Sequence, residues 1–253
     1  MQPTGLLARA LAFEQLLARR RAQRLVPTEG GFAVLDDRYP VSYEHNQVYV
    51  TGHLAADVIL AEADRALAER PHRHVTVLDG ELAGRLAPEL LAAGYEKETV
   101  VVMVLAGPPA RPEAAVRVER VAPEDLRPAV MRSWAARYPD LHEDSRRQLF
   151  ERIFATAAGC ELSSHVVRVR GEVTSWCHLY RIGSVAQVES VNTLPEWRRR
   201  GFAKTTVLDA VAAAAEAACE LVFLVALRDD WPRHLYQRLG FAVVGGYCAF
   251  TRP

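Results

Sequence analysis

The stretch PEWRRRGFAKTT at residues 195–206 is the part of the sequence that decides the predicted fold. Its first residues, 195–201, separate a strand-like segment from residues 202–218, whose apolar side chains recur at helical spacing. Gly201 and Ala203 therefore stand in a strand-to-helix turn, where small residues let backbone N–H groups approach an anion at the positive end of the helix dipole. The three neighbouring arginines add charge-assisted donors. The turn predicts a phosphate cradle, although alone it is equally compatible with a surface turn whose arginines are solvated.

A second motif lies downstream, within a regular order of elements. LYQRLGF at residues 235–241 combines a short helix with Gly240 and Phe241 at its end. From residue 116 onward, hydrophobic periodicity predicts strand, helix, helix, three strands, helix, strand, helix and strand. The predicted strands are 116–121, 161–170, 172–181, 186–193, 221–226 and 241–251, and the predicted helices are 123–136, 144–158, 202–218 and 231–239.

This order of elements and three local motifs resemble the Gcn5-related N-acetyltransferase (GNAT) superfamily. The residues from Arg198 to Ala203 are similar to its acyl-CoA signature: Arg or Gln, two residues, Gly, one residue, then Gly or Ala. Leu235-Tyr236 with Gly240-Phe241 is similar to a second signature, and Glu189-Ser190-Val191 to a third, weaker one. The resemblance implies an α/β fold with a mixed sheet, acetyl-CoA as the acyl donor, no metal, and transfer to a primary amine.

Acyl transfer from a thioester to an amine needs a base for the ammonium, a donor for the developing oxyanion and an acid for the leaving thiolate. The resemblance implies Tyr236 as the acid, and a core tyrosine is the other interpretation. Glu189 is the candidate base, because strand alternation sets it opposite a buried valine. A solvent-facing charge is the alternative for this residue. Asp229 or Asp230 is a second candidate for the base.

The resemblance also implies which residues contact CoA. The oxyanion donors are expected among the backbone N–H groups at 191–194, after which Pro195 ends the pairing of the strand. This chain departs from the family by placing Asp229 near a position where Asn is frequent. The predicted CoA contacts are Val191, Thr193, Arg198, Arg199, Arg200, Gly201, Phe202, Ala203, Lys204 and Asp229.

Aromatic and basic side chains in this part of the chain are candidates for an acceptor pocket. The aromatic candidates are Trp134, Tyr138 and Trp176, and core packing is an equal alternative for each. His178 and His234 could act as bases, since imidazole titrates near neutral pH. In the predicted helix 144–158, apolar residues occupy the positions that face the core. Its arginines, including Arg152, are therefore expected to face solvent or an anionic group of a substrate.

Residues 1–106 carry neither signature. A stretch rich in proline and glycine at 107–115 suits a linker, so we predict two domains, 1–106 and 116–253. A helix, Gly94-Tyr95 and a β-branched strand in the first domain repeat the helix, glycine and last strand of the second. The first domain is therefore either a smaller, degenerate GNAT-like copy or an unrelated α/β domain that shapes the acceptor cleft.

Composition and charge exclude several classes of function. The 31 basic and 31 acidic residues balance, so the chain has no overall positive field for nucleic acid or an anionic membrane. No apolar run approaches the ~20 residues of a membrane-spanning helix. Residues 6–25 predict an amphipathic helix with arginines, not a secretory leader. Four separated cysteines fit buried thiols in a reducing cytoplasm, and the preference for Arg over Lys is typical of a GC-rich bacterial genome.

The sequence thus predicts a cytoplasmic N-acyltransferase that acts on a small-molecule or peptide amine. A homodimer is compatible with the sequence, and neither nucleic acid nor a membrane is an expected partner. The alternative from another class is a non-catalytic acyl-CoA-binding regulatory module that keeps the cradle without a working base. Transfer of an aminoacyl group from tRNA on a tandem fold would need a basic groove, which the balanced charge argues against.

Overall fold

A computed structural model of the protein describes residues 3–107 and 116–253, which form one mixed sheet with helices on both faces. The strands are β1 Arg24–Thr28, β2 Gly31–Leu35, β3 Gln47–Val50, β4 Arg73–Val77, β5 Glu96–Leu105, β6 Val118–Val121, β7 Glu161–Val169, β8 Glu172–Ile182, β9 Val185–Thr193, β10 Leu221–Leu227 and β11 Phe241–Arg252. The helices are α1 Pro3–Arg21, α2 Ala56–Ala66, α3 Gly80–Ala92, α4 Arg127–Arg137, α5 Glu143–Gly159, α6 Phe202–Glu216 and α7 Pro232–Arg238. The predicted α/β class is confirmed. None of the helices in these two ranges has the length and apolar character that a membrane crossing requires.

The two parts of the chain exchange strands at the centre of the sheet. The strand order is β1-β2-β3-β4-β11-β5-β10-β9-β8-β7-β6. The last strand, β11, lies between β4 and β5, and β5 lies between β11 and β10, with antiparallel pairing at all three contacts. The apolar run of β5 is nearly continuous, which is typical of a strand covered on both faces. Segments that are far apart in sequence therefore form the middle of the sheet.

The same local arrangement occurs on each side of this centre. β3 and β4 are parallel neighbours, as are β9 and β10. Along the chain, β4 is followed by α3 and β5, and β10 is followed by α7 and β11. In the sheet, β11 lies between β4 and β5, and β5 lies between β10 and β11, so each part inserts one strand into the other. The repeat is compatible with a degenerate copy in residues 1–106. That interpretation and the domain boundaries stay predictions, and residues 108–115 of the expected linker lie outside the described residues.

Side-chain alternation along the central strands divides the core between the two faces. In β5, Val101 and Met103 pack with α6 and α7, whereas Val102 and Val104 pack with α1 and α5. The register of β5 with β11 places Phe250 on the same face as Val101, and there α2 and α3 cover it completely. Burying one such side chain contributes about 1.5–3 kcal/mol. The exchanged strands therefore anchor helices from both parts of the chain.

Two segments differ from the sequence-based expectation. We predicted one helix over 6–25, but α1 ends at Arg21 and the next residues form β1. β1 pairs with β2 across a tight turn in which Gly30 has φ 62°. This hairpin satisfies the backbone of a segment that contains Pro27, a residue unsuited to the interior of a helix. The helix predicted at 123–136 similarly begins as a single 3-10 turn, Pro123–Leu126, before α4.

We expect residues 116–253 expressed alone to lack a cooperative unfolding transition, because β10 and β11 each lose their pairing with β5. The control is the full chain cut at a protease site inserted within 108–115, since this cut chain keeps every strand of the sheet. Thermal unfolding followed by circular dichroism, together with size-exclusion chromatography, compares the two. A monomeric, cooperative transition of the isolated piece that matches the cut chain would contradict the dependence on β5.

Candidate active site between the two splayed strands

The turn before α6 has the backbone geometry of an open cradle. Arg199 has φ 61° and Gly201 has φ 80°, so the chain takes two left-handed steps before the helix begins. Among the described residues no side chain caps α6, and none therefore competes for the N–H groups of Phe202 and Ala203. A Cβ at Gly201 would meet nothing within 4 Å. The turn can thus receive an anion at the positive end of the helix.

The arginines of this turn have different surroundings. Nε of Arg198 donates to the carbonyl oxygen of Thr193 at 3.2 Å, which ties the turn to the end of β9. The guanidinium carbon of Arg200 lies 4.7 Å from the ring centroid of Trp197. All three arginines are exposed, whereas Lys204 is half-buried in the first turn of α6. The predicted cradle residues therefore lie together at one end of α6, with cationic groups at the surface.

The parallel strands β9 and β10 separate just before the cradle. Within the described chain their register covers residues 185–187 against 221–223, although both strands continue. On its other edge β9 bulges, because its register with β8 shifts beyond Trp176 and Ser190 has φ 54°. A gap therefore opens between the two strands along residues 188–193.

The gap bears on the oxyanion donors that we predicted at 191–194. Leu194 donates its N–H to the carbonyl oxygen of Thr174 at 2.9 Å, so this donor is already occupied. Residues 191–193 lie on the part of β9 that has separated from β10. Residues 192 and 193 still pair with β8 on the other edge, so the remaining donors in the predicted range are those N–H groups of residues 191–193 that face away from β8.

Glu189 lies at the start of the gap, on the wall of a cavity. Its Oε1 accepts the N–H of Ser190 at 2.9 Å, and its Oε2 accepts a hydrogen bond from Nε2 of Gln187 at 3.2 Å. Burial, together with the negative charge of Glu44, raises the pKa of Glu189 to about 7. A carboxyl group with a pKa in this range can both accept and release a proton near neutral pH.

Tyr236 lies on the other side of β9, in the apolar cluster under α6 and α7. Its ring is 7% exposed and packs edge-on against Phe241 with 6.4 Å between the ring centroids. Burial and the nearby carboxylate of Glu189 raise its pKa, so the hydroxyl group keeps its proton at neutral pH. Val191 packs against the same cluster. Tyr236 therefore contributes to the core and also lies beside the gap.

Asp229 and Asp230, the second candidates for the base, do not lie in the cavity beside Glu189. Asp229 is exposed in the loop after β10. Oδ1 of Asp230 accepts the N–H of Trp231 at 2.7 Å, where the chain turns into α7. Neither aspartate is among the residues that line the cavity beside Glu189.

The cavity beside Glu189 lies between the two parts of the chain and has a volume of about 290 Å³. Residues of the N-terminal part form much of its wall, and sequence reasoning missed all of them. They include Glu14, Arg21, Tyr43, Glu44, Gln47, Tyr49, His74 and Thr76. One signal was present, because Glu14 and Arg21 place charges on the same helical stripe as the buried Ala10 and Leu17.

A second cavity of about 270 Å³ adjoins the first. It contains Trp134 and Trp176, two of the predicted acceptor-pocket aromatics, whereas Tyr138 is exposed and stacks on Trp134. His178 also lines it and shares a hydrogen bond with Ser164 at 2.9 Å. Burial lowers the pKa of His178 to about 4, so its imidazole is neutral at physiological pH. The other candidate histidine, at 234, is exposed and lines neither cavity.

Glu44 lies where the two cavities meet and holds two guanidinium groups. It accepts hydrogen bonds from Arg21 and forms an ion pair with Arg152 at 3.0 Å. Although burial opposes ionisation, these two cations hold the pKa of Glu44 below its usual range. We predicted that Arg152 faces solvent or an anionic group of a substrate, and in the structure it lines both cavities. The trio joins α1, the segment before β3, and α5.

These features define a class of protein. The order of strands and helices around this site, with a helix that starts at a glycine turn after the strand that carries Glu189, is the arrangement implied by the resemblance to N-acetyltransferases. Residues 126–241 match the model of the acetyltransferase (GNAT) family. The chain therefore carries a GNAT-type acetyltransferase domain. A comparison with curated proteins finds no match.

Solved structures share the fold over nearly the whole chain. A conserved protein of unknown function from Staphylococcus epidermidis ATCC 12228 aligns over 91% of this chain and 94% of its own, with a TM-score of 0.71 and 12% identity. A GCN5-related N-acetyltransferase from Kribbella flavida aligns over 98% and 95%, with a TM-score of 0.65 and 17% identity. A GCN5-related N-acetyltransferase-like protein from Streptococcus suis 89/1591 aligns over 98% of both chains, with a TM-score of 0.58 and 12% identity. The fold of both parts of the chain therefore occurs in other proteins.

We expect Glu44→Gln to lower the free energy of unfolding by about 3 kcal/mol, because it leaves the guanidinium of the buried Arg21 without a counter-charge. This is the low end for a broken buried pair, since the Glu44 side chain is 37% exposed. The matched control is Glu220→Gln, which breaks the pair with Arg9 at a side chain that is 65% exposed. The control should change the free energy by less than about 0.5 kcal/mol. Urea unfolding at pH 7 measures both, and equal effects would contradict the structural role of Glu44.

Proposed function

We propose that the protein transfers an acetyl or related acyl group from acetyl-CoA to a primary amine by direct attack of the amine on the thioester. The observation that carries this proposal is the gap between β9 and β10, which has the cradle at one end and Glu189 at the other. A thioester held in this gap would be reached by an amine from the cavity between the two parts of the chain. The family match at 126–241 supports the same chemistry.

The pyrophosphate of CoA would bind at the start of α6. Its oxygens would accept hydrogen bonds from the N–H groups of the first helical turn and from the arginines of the cradle. The pantetheine arm would follow β9 along Val191 and Thr193, where backbone groups have left the ladder with β10. Asp229 stays a candidate contact at the exposed loop after β10.

In the reaction, the carboxylate of Glu189 accepts a proton from the incoming ammonium group, and the neutral amine attacks the thioester carbonyl carbon. Backbone N–H groups at 191–193 stabilise the negative charge that develops on the carbonyl oxygen. As the tetrahedral intermediate collapses, the carbon–sulfur bond breaks and the thiolate takes the proton of the Tyr236 hydroxyl. The nitrogen of the former amine loses its second proton, which restores the Tyr236 hydroxyl by way of solvent. The products are an amide and free CoA, and Glu189 passes the first proton to solvent.

The acceptor would be a small-molecule or peptide amine that enters the cavity of about 290 Å³. The negative charge that Glu14 and Glu189 carry between them in its wall would attract an ammonium group, and tyrosine rings can pack against a cation. We propose that the protein works in the cytoplasm, without nucleic acid or a membrane, and a homodimer fits this activity as well as a monomer.

Calorimetric titration with acetyl-CoA and CoA, together with thiol release against a panel of amines, tests the proposal. One binding site per chain with thiol release supports the transferase and identifies a class of acceptor. Binding without release from any amine would favour the non-catalytic regulatory module. Absence of binding would refute the cradle.

We expect Gly201→Asp to weaken CoA binding by about 10- to 100-fold, which corresponds to the loss of about 1.5–3 kcal/mol of charge-assisted hydrogen bonding. The added carboxylate would lie beside the pyrophosphate. The control is Gly171→Asp, because Gly171 has a similar φ of 84° and a Cβ there would likewise meet nothing within 4 Å, but it lies in the turn between β7 and β8. Calorimetry on both folded variants measures the affinity, and equal Kd values would remove the cradle from CoA binding.

We expect Tyr236→Phe to lower kcat by about 10²-fold, the usual effect of removing a positioned acid, while the Kd of CoA stays within a factor of two. Tyr95→Phe is the control, because Tyr95 is a 3% exposed core tyrosine whose hydroxyl bonds to nothing in the described residues. Stopped-flow detection of thiol release measures both. If the two variants turn over at the same rate, Tyr236 has no role in protonating the thiolate.

A further inference from the structure

One side chain of β9 bridges carboxyl groups from the two parts of the chain. Gln187 lies two residues before Glu189, so both side chains project from the same face of the strand. Nε2 of Gln187 donates to Oε1 of Glu14 at 2.6 Å and to Oε2 of Glu189 at 3.2 Å. The two carboxyl oxygens therefore lie within about 6 Å of each other, bound to a single amide nitrogen. Helix α1 thus places an acidic group beside the proposed base.

The cations in the cavity offset this pair only in part. Arg21 lowers the pKa of both carboxyl groups and Arg152 that of Glu189, but both arginines bind Glu44, whose negative charge opposes theirs. Two carboxylates this close repel each other, so removing the second proton is harder than removing the first. The other titratable groups facing the pair, on the elements packed around it, are Tyr43, Tyr49, His74, Glu98, Tyr180 and Tyr247.

The proton affinities agree with this geometry. Burial and the charge of Glu189 raise the pKa of Glu14 to about 8. Burial and the charge of Glu44 raise the pKa of Glu189 to about 7. Burial lowers the pKa of His74 to about 4, so this imidazole adds no positive charge. Near neutral pH the two carboxyl groups together therefore retain about one proton.

We propose that Glu14 is a positioning residue for the base: it holds one proton jointly with Glu189 across the Gln187 amide, so helix α1 controls when Glu189 can accept a proton from an ammonium group. The shared proton is a property of the free protein, and its catalytic meaning rests on the proposed function. Because the two groups titrate as a coupled pair, each proton is lost from the pair as a whole, and both carboxyl groups are fully ionised only after the second proton has left. Without the charge of Glu14, Glu189 ionises at a lower pH.

The direct test is a carboxyl titration of the full chain labelled with ¹³C at the glutamate side-chain carboxyl carbon. Wild type, Glu14→Gln, Glu189→Gln and the exposed control Glu220→Gln are compared by NMR between pH 4 and 9. We expect two wild-type resonances with midpoints between about pH 6.5 and 8.5, one of which disappears in each cavity variant. The remaining resonance should titrate at least 0.5 pH unit lower than in wild type, and the control should match wild type.

Two results would overturn the proposal. One is a wild-type spectrum in which every glutamate titrates near its ordinary value of about 4.3. The other is a Glu189 midpoint that is the same with and without the charge of Glu14. The wild-type spectrum decides the first point even if a variant fails to fold.

A kinetic measurement distinguishes this inference from the proposed function. With the amine that gives the fastest thiol release, kcat/KM should rise with pH because Glu189 must be ionised, and Glu14→Gln should shift this rise at least 0.5 pH unit lower. An unshifted profile would contradict the positioning role. If wild type does not bind CoA, the proposed function is refuted. The NMR titration then tests the shared proton by itself.

Discussion

The structure depends on the pairing of β5 with β10 on one edge and β11 on the other. This strand belongs to the first part of the chain but completes the sheet of the second. Because β11 in return pairs with β4, the two parts are held in one register instead of meeting at a flexible interface. The faces of the sheet are thereby fixed, and α1 lies across the site at β9. The carboxylate of Glu14 reaches Gln187 only because of this arrangement.

The gap between β9 and β10 connects two chemically different faces. On one face, the cradle at Gly201 and the apolar cluster around Tyr236 suit a phosphate and a thiol. On the other face, carboxylates and guanidinium groups line a cavity that suits an ammonium group. In the proposed reaction, a thioester on one face would meet an amine on the other face through this gap. The C-terminal part supplies the cradle and most of the apolar cluster on the first face, to which β5 adds Val101 and Met103, whereas both parts supply the wall of the cavity on the second.

Much of the C-terminal fold was predictable because its elements are regular and its motifs are local. The predicted strand at 241–251 and helix at 202–218 agree with β11 and α6 to within two residues. The strand-to-helix turn at 198–203 was predictable for the same reason, since six consecutive residues build it, and its binding of a phosphate stays a prediction. The cavity was not, because Glu14, Glu44 and Glu189 meet only through strand exchange, which no local pattern encodes. The bulge at Ser190 depends on pairing with β8 and was likewise hidden. Residues 24 and 25 were predicted as the end of a helix from their local spacing, but pairing with β2 overrides that spacing and makes them part of a strand.

The exchanged strands also set the order in which the chain can fold during its synthesis. When the ribosome has made the first part, β4 and β5 have both been translated, but the strand that lies between them is the last one to emerge. Their facing edges stay open until residues 241–252 are complete, and an open edge is a site for pairing with other chains. The sheet of the N-terminal part is therefore completed only when nearly the whole polypeptide has been made, which prolongs the time during which these edges are open to pairing with other chains.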